Sequence, residues 1–297
     1  MKNISPTIIF FGTEDFSLES LHRLIDAGYS IAAVVTKPDS KRGRGQIMTS
    51  PAVKELALKN DIPVWQPDSL SSIIDKVKIL NSKPLGVLVS YGKIIPQSII
   101  DLFDPGVINI HPSLLPNWRG PSPIESAIKS GDKKTGVTIM QLSKEMDAGP
   151  IYKQIAQPLH GNETRVELYE KLAKVGADLL IDVLPSILDG SLKATPQDDK
   201  KASYCPMLTK DDAYLNLQAL DAHEAERTIR AHMGFPRSKL IINASTVIIK
   251  RAHASSSGTE PLSIKCRGGL FLTIDELIAP SGRAMTGQDF LNGYVAD

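Results

Sequence analysis

Asn109 and His111 stand two residues apart at the end of the apolar run Val107-Ile108-Asn109-Ile110-His111. The proline-bounded loop Pro112-Ser113-Leu114-Leu115-Pro116 follows. In an extended strand residues i and i+2 share a face, so an amide and an imidazole project together while Ile110 turns into packing. Such a pair suits a reaction in which an oxygen gains negative charge while a proton moves. A second stretch, Gly136-Val137-Thr138-Ile139-Met140-Gln141-Leu142, reads as a covered strand and runs into a loop with Asp147 before Ala148-Gly149-Pro150. Ligands of open α/β sheets bind beyond the carboxyl ends of the strands, where all three groups can meet. Singly, each is an ordinary strand-end or turn residue. Together they mark a candidate catalytic centre, although spacing alone names no reaction.

The elements that must position these groups are legible as alternating patterns. Runs at 7–12, 30–36, 86–91, 107–111 and 136–142 are nearly continuous in Val, Ile and Leu, as expected of strands covered on both faces. Between them, Leu18, Leu21, Leu24 and Ile25 keep helical spacing up to Gly28, and Val53, Leu56 and Ala57 do so after Pro51. This order predicts a doubly wound, parallel α/β sheet. Thr164 and Glu167 form a capping box ahead of a stripe of Leu168, Leu172, Val175, Leu179 and Val183. Pro185 is expected to bend or shorten that helix, and Asp189-Gly190 to close it. Residues 190–206, rich in Gly, Ser, Lys, Pro, Gln and Asp, read as a linker. Beyond it, a helix capped at Asp221 and Glu224 precedes short β runs at 240–243, 247–251, 262–266 and 270–274, which suggest a small barrel. The expected division is 1–189, a linker at 190–206, and 207–297. Tyr91 reads as packing.

Composition bounds the rest. The chain has 297 residues, 42% of them hydrophobic and 23% charged, with a net charge of +1. That balance suits one large or two ordinary globular domains and supplies no global field toward nucleic acid or membrane. Cys205 and Cys266 are the only cysteines and lack metal-site spacing, so reduced thiols and a cytoplasmic location are expected. The apolar run 7–11 is too short for a signal peptide, and no segment reads as a membrane span. Gly12 is not continued into a glycine-rich dinucleotide or phosphate loop.

The string Asn-x-His-x-Ser-Leu-Leu-Pro at 109–116, then Trp118-Arg119-Gly120 and Met146-Asp147-Ala148-Gly149-Pro150, resembles the folate-dependent formyltransferase superfamily. The resemblance implies a Rossmann-like catalytic domain and formyl transfer from 10-formyltetrahydrofolate to an amine, with no metal. It places the Asn-His-Asp centre on Asn109, His111 and Asp147, with Ser113, Leu114, Leu115 and Pro116 bordering the folate. The segments 9–16, 36–45, 50–54 and 287–291 are similar to the branch whose acceptor is the α-amino group of methionyl initiator tRNA. In that branch the basic loop, here 36–45 with Lys37, Lys41, Arg42 and Arg44, enters the tRNA acceptor stem, which points to Arg44 with Lys41 and Arg42 beside it. The C-terminal part would be an OB-like barrel supporting the tRNA, with Lys239, Lys250, Arg251, Lys265 and Arg267 as its cations. A monomer acting in translation initiation is the expectation. The alternative is a formyltransferase acting on a nucleotide-linked amino sugar or another small amine.

Overall fold

The structure, a computed structural model, describes residues 7–42, 45–80 and 82–294. Strands are β1 (Ile8–Gly12), β2 (Ile31–Val35), β3 (Ser40–Arg42), β4 (Ile47–Thr49), β5 (Val64–Trp65), β6 (Leu85–Val89), β7 (Val107–His111), β8 (Lys134–Gln141), β9 (Ile151–Pro158), β10 (Lys239–Ile242), β11 (Ser245–Ser255), β12 (Ser263–Lys265), β13 (Phe271–Ile278) and β14 (Ala284–Thr286). Helices are α1 (Leu18–Asp26), α2 (Ala52–Lys59), α3 (Ile74–Lys78), α4 (Gln97–Ile100), α5 (Pro123–Ser130), α6 (Arg165–Leu188), α7 (Ala222–Ala231) and α8 (Gly287–Tyr294). The chain divides into two compact units. One holds the residues up to Pro121 with Gly136–Gln157 and Tyr169–Tyr204. The other holds Ser122–Thr135, Pro158–Leu168 and the chain from Cys205 onward.

The first unit is built on a seven-stranded sheet in the order β5-β2-β1-β6-β7-β8-β9. Its pairs from β5 to β7 are parallel, and β8 runs antiparallel to β7. The sheet is therefore parallel-dominated and α/β, with a reversal at β8 that an apolar run cannot disclose. Helices cover both faces. Ile73 of the short 3-10 turn Leu70–Ile73 and Val77 of α3, with Ile99 and Ile100 of α4, pack on Ile9, Phe11, Val35 and Val107. On the other face, a Cβ placed on Gly176 of α6 would sit 2.9 Å from Ile110 Cγ2 and 3.2 Å from Val137 Cγ1. The absent side chain lets α6 approach β7 and β8 closely, and it fixes which way β7 faces. Ile110 points to α6, so Asn109 and His111 point away from it.

The Thr164–Glu167 capping box forms, with Thr164 N donating to Glu167 Oε2 at 2.9 Å and Glu167 N to Thr164 Oγ1 at 3.3 Å. Pro185 does not end α6, which continues to Leu188 and closes when Asp189 N donates to the Pro185 carbonyl. The basic stretch read as a loop is an antiparallel hairpin at its base, β3 against β4. Asp39 anchors it, accepting from Lys54 Nζ at 2.8 Å, Gln66 Nε2 at 2.7 Å and Ser50 Oγ at 3.2 Å. Hydrogen bonds from Lys54 and then Gln66 hold its carboxyl below the usual carboxylate range.

In the second unit, β10, β11, β13 and β12 pair in that order, and β14 joins β13 beside β12. These four strand pairs are all antiparallel. The expected closed barrel is not found: no strand pairing among the described residues joins the two ends of this path. Antiparallel runs of this length suit either an open or a closed sheet, and patterning alone does not distinguish them. The reciprocal capping box of Asp221 and Glu224 starts α7, whose Ala225 and Ile229 pack into the sheet's core with Val247, Leu272 and Leu277.

Tyr91 is fully buried beside Phe11, ring centroids 5.7 Å apart, in the core of the first unit. Its hydroxyl has no hydrogen-bond partner among the described residues, and burial pushes its pKa up to about 12. Tyr91→Phe removes an unsatisfied group and keeps the ring. It is expected to raise the unfolding free energy by about 1 kcal/mol in chemical denaturation; a loss of stability contradicts this account.

Candidate functional site

β7 is buried along its whole length and ends at His111. The ring is held on both sides. His111 Nε2 lies 2.9 Å from the Trp118 carbonyl, which can only accept, so Nε2 carries a hydrogen. His111 Nδ1 is thereby left facing Asp147, whose Oδ2 is 3.7 Å away. The same Oδ2 accepts the Gly120 N–H at 2.9 Å. Both side chains are largely covered, at 6% and 14% exposure, where water screens their interaction weakly. Asn109 is buried to 5% and makes no side-chain hydrogen bond to the described residues. Its amide remains uncommitted on the His111 side of the strand.

The loop after β7 is braced from below. Thr138 Oγ1 donates to the Ser113 carbonyl at 2.7 Å and accepts Leu115 N at 3.2 Å and Gln154 Nε2 at 2.8 Å. Gln154 Nε2 also reaches the Leu115 carbonyl at 2.8 Å, and Ser113 Oγ donates to the Asn117 carbonyl at 2.6 Å. Ser113 and Leu115 are therefore buried and engaged in holding the loop. Leu114 and Pro116 keep partial exposure. The chain then turns through Trp118 at φ 59°, a left-handed conformation uncommon outside glycine, and its carbonyl meets His111. Asp147 also sits in this region, at φ 50°, where Asp is tolerated better than most residues.

Part of the stretch 190–206 that reads as a linker braces these loops. Thr195 pairs with Ile151 through both backbone groups at 2.8 Å. Trp118 N donates to Ser203 Oγ at 2.9 Å, and Arg119 N to the Ser203 carbonyl at 2.9 Å. Gln197 Nε2 donates to the carbonyls of Asp147 and Gly149, each at 2.8 Å. Its Oε1 accepts from Arg119 Nε at 3.1 Å and Nη2 at 2.9 Å. Arg119 also reaches Asp199 at 2.7 Å and Tyr204 at 3.4 Å. Burial opposes its charge, but the hydrogen bonds to Asp199 and Tyr204 outweigh it and hold the guanidinium above its ordinary value. Thr138, Gln154, Gln197 and Ser203 were not singled out from sequence. Their partners are mostly backbone groups far along the chain, which no local pattern reveals.

Of the basic residues, Lys41 is exposed on β3; Arg44 and the Arg42 side chain lie outside the described residues. In the second unit, Lys250 pairs with Glu276, Arg251 with Asp275 at 3.6 Å and Arg267 with Glu224 at 2.8 Å. Lys239 lies over the Tyr214 ring, 5.3 Å from its centroid. Internal acids thus offset three of the five cations expected there. No group of three His, Cys, Asp or Glu side chains among the described residues is arranged to hold a metal, and no described helix is long and apolar enough to cross a membrane.

An amide, an imidazole and a carboxylate at the mouth of an α/β sheet fit acyl-type transfer through a transient oxyanion. The pattern that defines the formyl transferase family matches residues 6–184, and the chain belongs to that family. It is 36% identical over 296 residues to the methionyl-tRNA formyltransferase of Pseudomonas putida (strain GB-1), covering 96% of this chain and 95% of that protein. In fold it is similar to the sugar 3N-formyl transferase WlaRD, with a TM-score of 0.68, 21% identity and coverage of 90% of this chain and 96% of that one. It is also similar to HypX from Aquifex aeolicus solved with tetrahydrofolic acid, with a TM-score of 0.67 and 16% identity; 97% of this chain spans 47% of that one.

Gly149 tests how tightly the Asp147 loop is set. A Cβ there would lie 1.9 Å from the Gln141 carbonyl oxygen, which is backbone and cannot rotate away. Gly149→Ala is expected to lower the unfolding free energy by about 1–3 kcal/mol, as an overpacked site does. An unchanged denaturation midpoint would show that the loop accommodates the methyl group.

Proposed function

We propose that this protein transfers the formyl group of 10-formyltetrahydrofolate to the α-amino group of methionine esterified to initiator tRNA. The observation that carries this reading is the 36% identity to a methionyl-tRNA formyltransferase over 96% of the chain. A sugar-formylating relative supports the chemistry through fold alone, at 21% identity.

The neutral amine attacks the formyl carbon, a new C–N bond forms, and the carbonyl oxygen becomes an oxyanion. Asn109, with no partner for its amide among the described residues, donates to that oxygen; one such donor contributes about 3 kcal/mol of barrier lowering. His111 presents Nδ1 because the Trp118 carbonyl occupies Nε2. It takes the proton released by the attacking nitrogen, and Asp147 at 3.7 Å balances the charge. The adduct collapses as the oxyanion re-forms the carbonyl and the bond to N10 of the folate breaks, and that nitrogen leaves with the proton that His111 took. Leu114 and Pro116 border the folate with the 142–148 loop, while Ser113 and Leu115 keep the loop in shape. Lys41 and Arg42 of β3, with Arg44 following in the sequence, contact acceptor-stem phosphates. The C-terminal antiparallel sheet acts as an OB-like platform for the same RNA. The protein works as a cytoplasmic monomer.

The assay is transfer of labelled formyl from 10-formyltetrahydrofolate to methionyl-tRNA beside nucleotide-linked amino sugars. Labelled tRNA is expected; label on the sugars alone overturns the acceptor. His111→Ala is expected to reduce turnover by at least about 10²-fold, the scale of general acid–base catalysis, with tRNA affinity within a few-fold. An active variant refutes the assignment. Arg44→Ala is expected to weaken tRNA use and flatten the salt dependence of kcat/KM by about one phosphate contact; an unchanged slope removes Arg44 from the RNA interface.

A further inference from the structure

The loop that carries Asp147 has few ties to the sheet beneath it. Between β8 and β9 the backbone bonds of residues 142–150 are Leu142 N to Val107 O, Gln141 N to Pro150 O, and a long Ala148 N to Glu145 O at 3.4 Å. Lys144, Glu145 and Met146 are exposed. Asp147 also holds a left-handed φ. Nothing in this segment alone would keep one carboxylate oxygen beside His111.

Two connections do so, and both trace to the Trp118-Arg119-Gly120 turn. The Gly120 N–H holds Asp147 Oδ2. The second connection runs through Gln197, whose single amide spans the gap between a buried cation and the loop backbone. Its nitrogen donates to the carbonyls at 147 and 149, and its oxygen accepts two N–H groups of Arg119. Both hydrogens and both lone pairs of the amide are used. The Arg119 guanidinium is itself held by Asp199 and Tyr204.

We propose that Gln197 is a positioning residue for the transfer reaction, setting the backbone at 147–149 so that the Asp147 carboxylate stays against His111. It touches neither substrate nor the reacting atoms. The role rests on the formyl-transfer reading of the site, and it adds a residue from the stretch that composition marks as a linker.

Two variants separate the halves of the bridge. Gln197→Ala removes both. Gln197→Glu keeps an acceptor for Arg119 and replaces the donor with an oxygen that repels the two carbonyls. In steady-state assays with 10-formyltetrahydrofolate and methionyl-tRNA, both are expected to lower kcat by about 10- to 100-fold, the scale of a misplacement near 1 Å, with each KM within about two-fold. In an Asp147→Asn background, Gln197→Ala is expected to cost less than about three-fold more, because the group it positions is already gone. Hydrogen exchange at the Ala148 amide, the N–H of 147–149 that reaches a backbone acceptor, is expected to accelerate in both variants while β7 keeps its protection. A kcat within two-fold of the parent, a loss confined to KM, an equal loss in the Asp147→Asn background, or unchanged exchange at Ala148 each overturns the proposal. If the parent transfers no formyl to methionyl-tRNA, the acceptor assignment fails instead, and the exchange measurement still decides whether Gln197 sets the loop.

Discussion

The site depends on one carboxylate being held still. Asp147 Oδ2 accepts the Gly120 N–H at 2.9 Å and stands 3.7 Å from His111 Nδ1, while the other ring nitrogen is committed to the Trp118 carbonyl. Release of either contact would allow the imidazole to rotate or the carboxylate to swing to solvent. The lone pair at Nδ1 would then lose its place beside a balancing charge. The rest of the first unit can be read as support for this arrangement. α6 sits close on Ile110 across Gly176 and so turns Asn109 and His111 to the opposite face of β7. Thr138 and Gln154 hold the loop after β7.

The sheet explains why His111 and Asp147, far apart in sequence, meet. Its strands from β5 to β7 run parallel, and the carboxyl end of β7 opens into the loop that returns to His111. β8 runs antiparallel to β7, placing Thr138 opposite His111 in register. Thr138 thereby becomes a brace beneath the loop, and the chain after β8 carries Asp147 back to the Gly120 N–H. A parallel β8 would have placed that brace elsewhere.

Much of this was legible in the sequence because it rests on local periodicity. Continuous apolar runs marked β1, β2, β6, β7 and most of β8, and the capping boxes at Thr164 and Asp221 marked α6 and α7 within a residue or two. The pairing of Asn109 and His111 on one face followed from the two-residue period of a strand. What stayed hidden depends on contacts rather than pattern. β5 is only two residues long and β9 is half-exposed, with Tyr152, Lys153 and Gln154 interrupting any apolar signal. The direction of β8 is set by its partner. Gln197 sits in a polar stretch whose composition matches a tether, and its partners lie 48 to 78 residues away. Likewise, strand-length patterning in the second unit did not disclose whether its sheet closes.

The most direct test is a structure of the protein soaked with a stable 10-formyl analogue of tetrahydrofolate, measuring the distance from the formyl oxygen to the Asn109 amide nitrogen. The account predicts a hydrogen bond of about 3 Å, with the formyl carbon open to an amine on the His111 side. A folate whose formyl group lies beyond hydrogen-bonding reach of both Asn109 and His111, with the Asp147 loop in its present position, would contradict it.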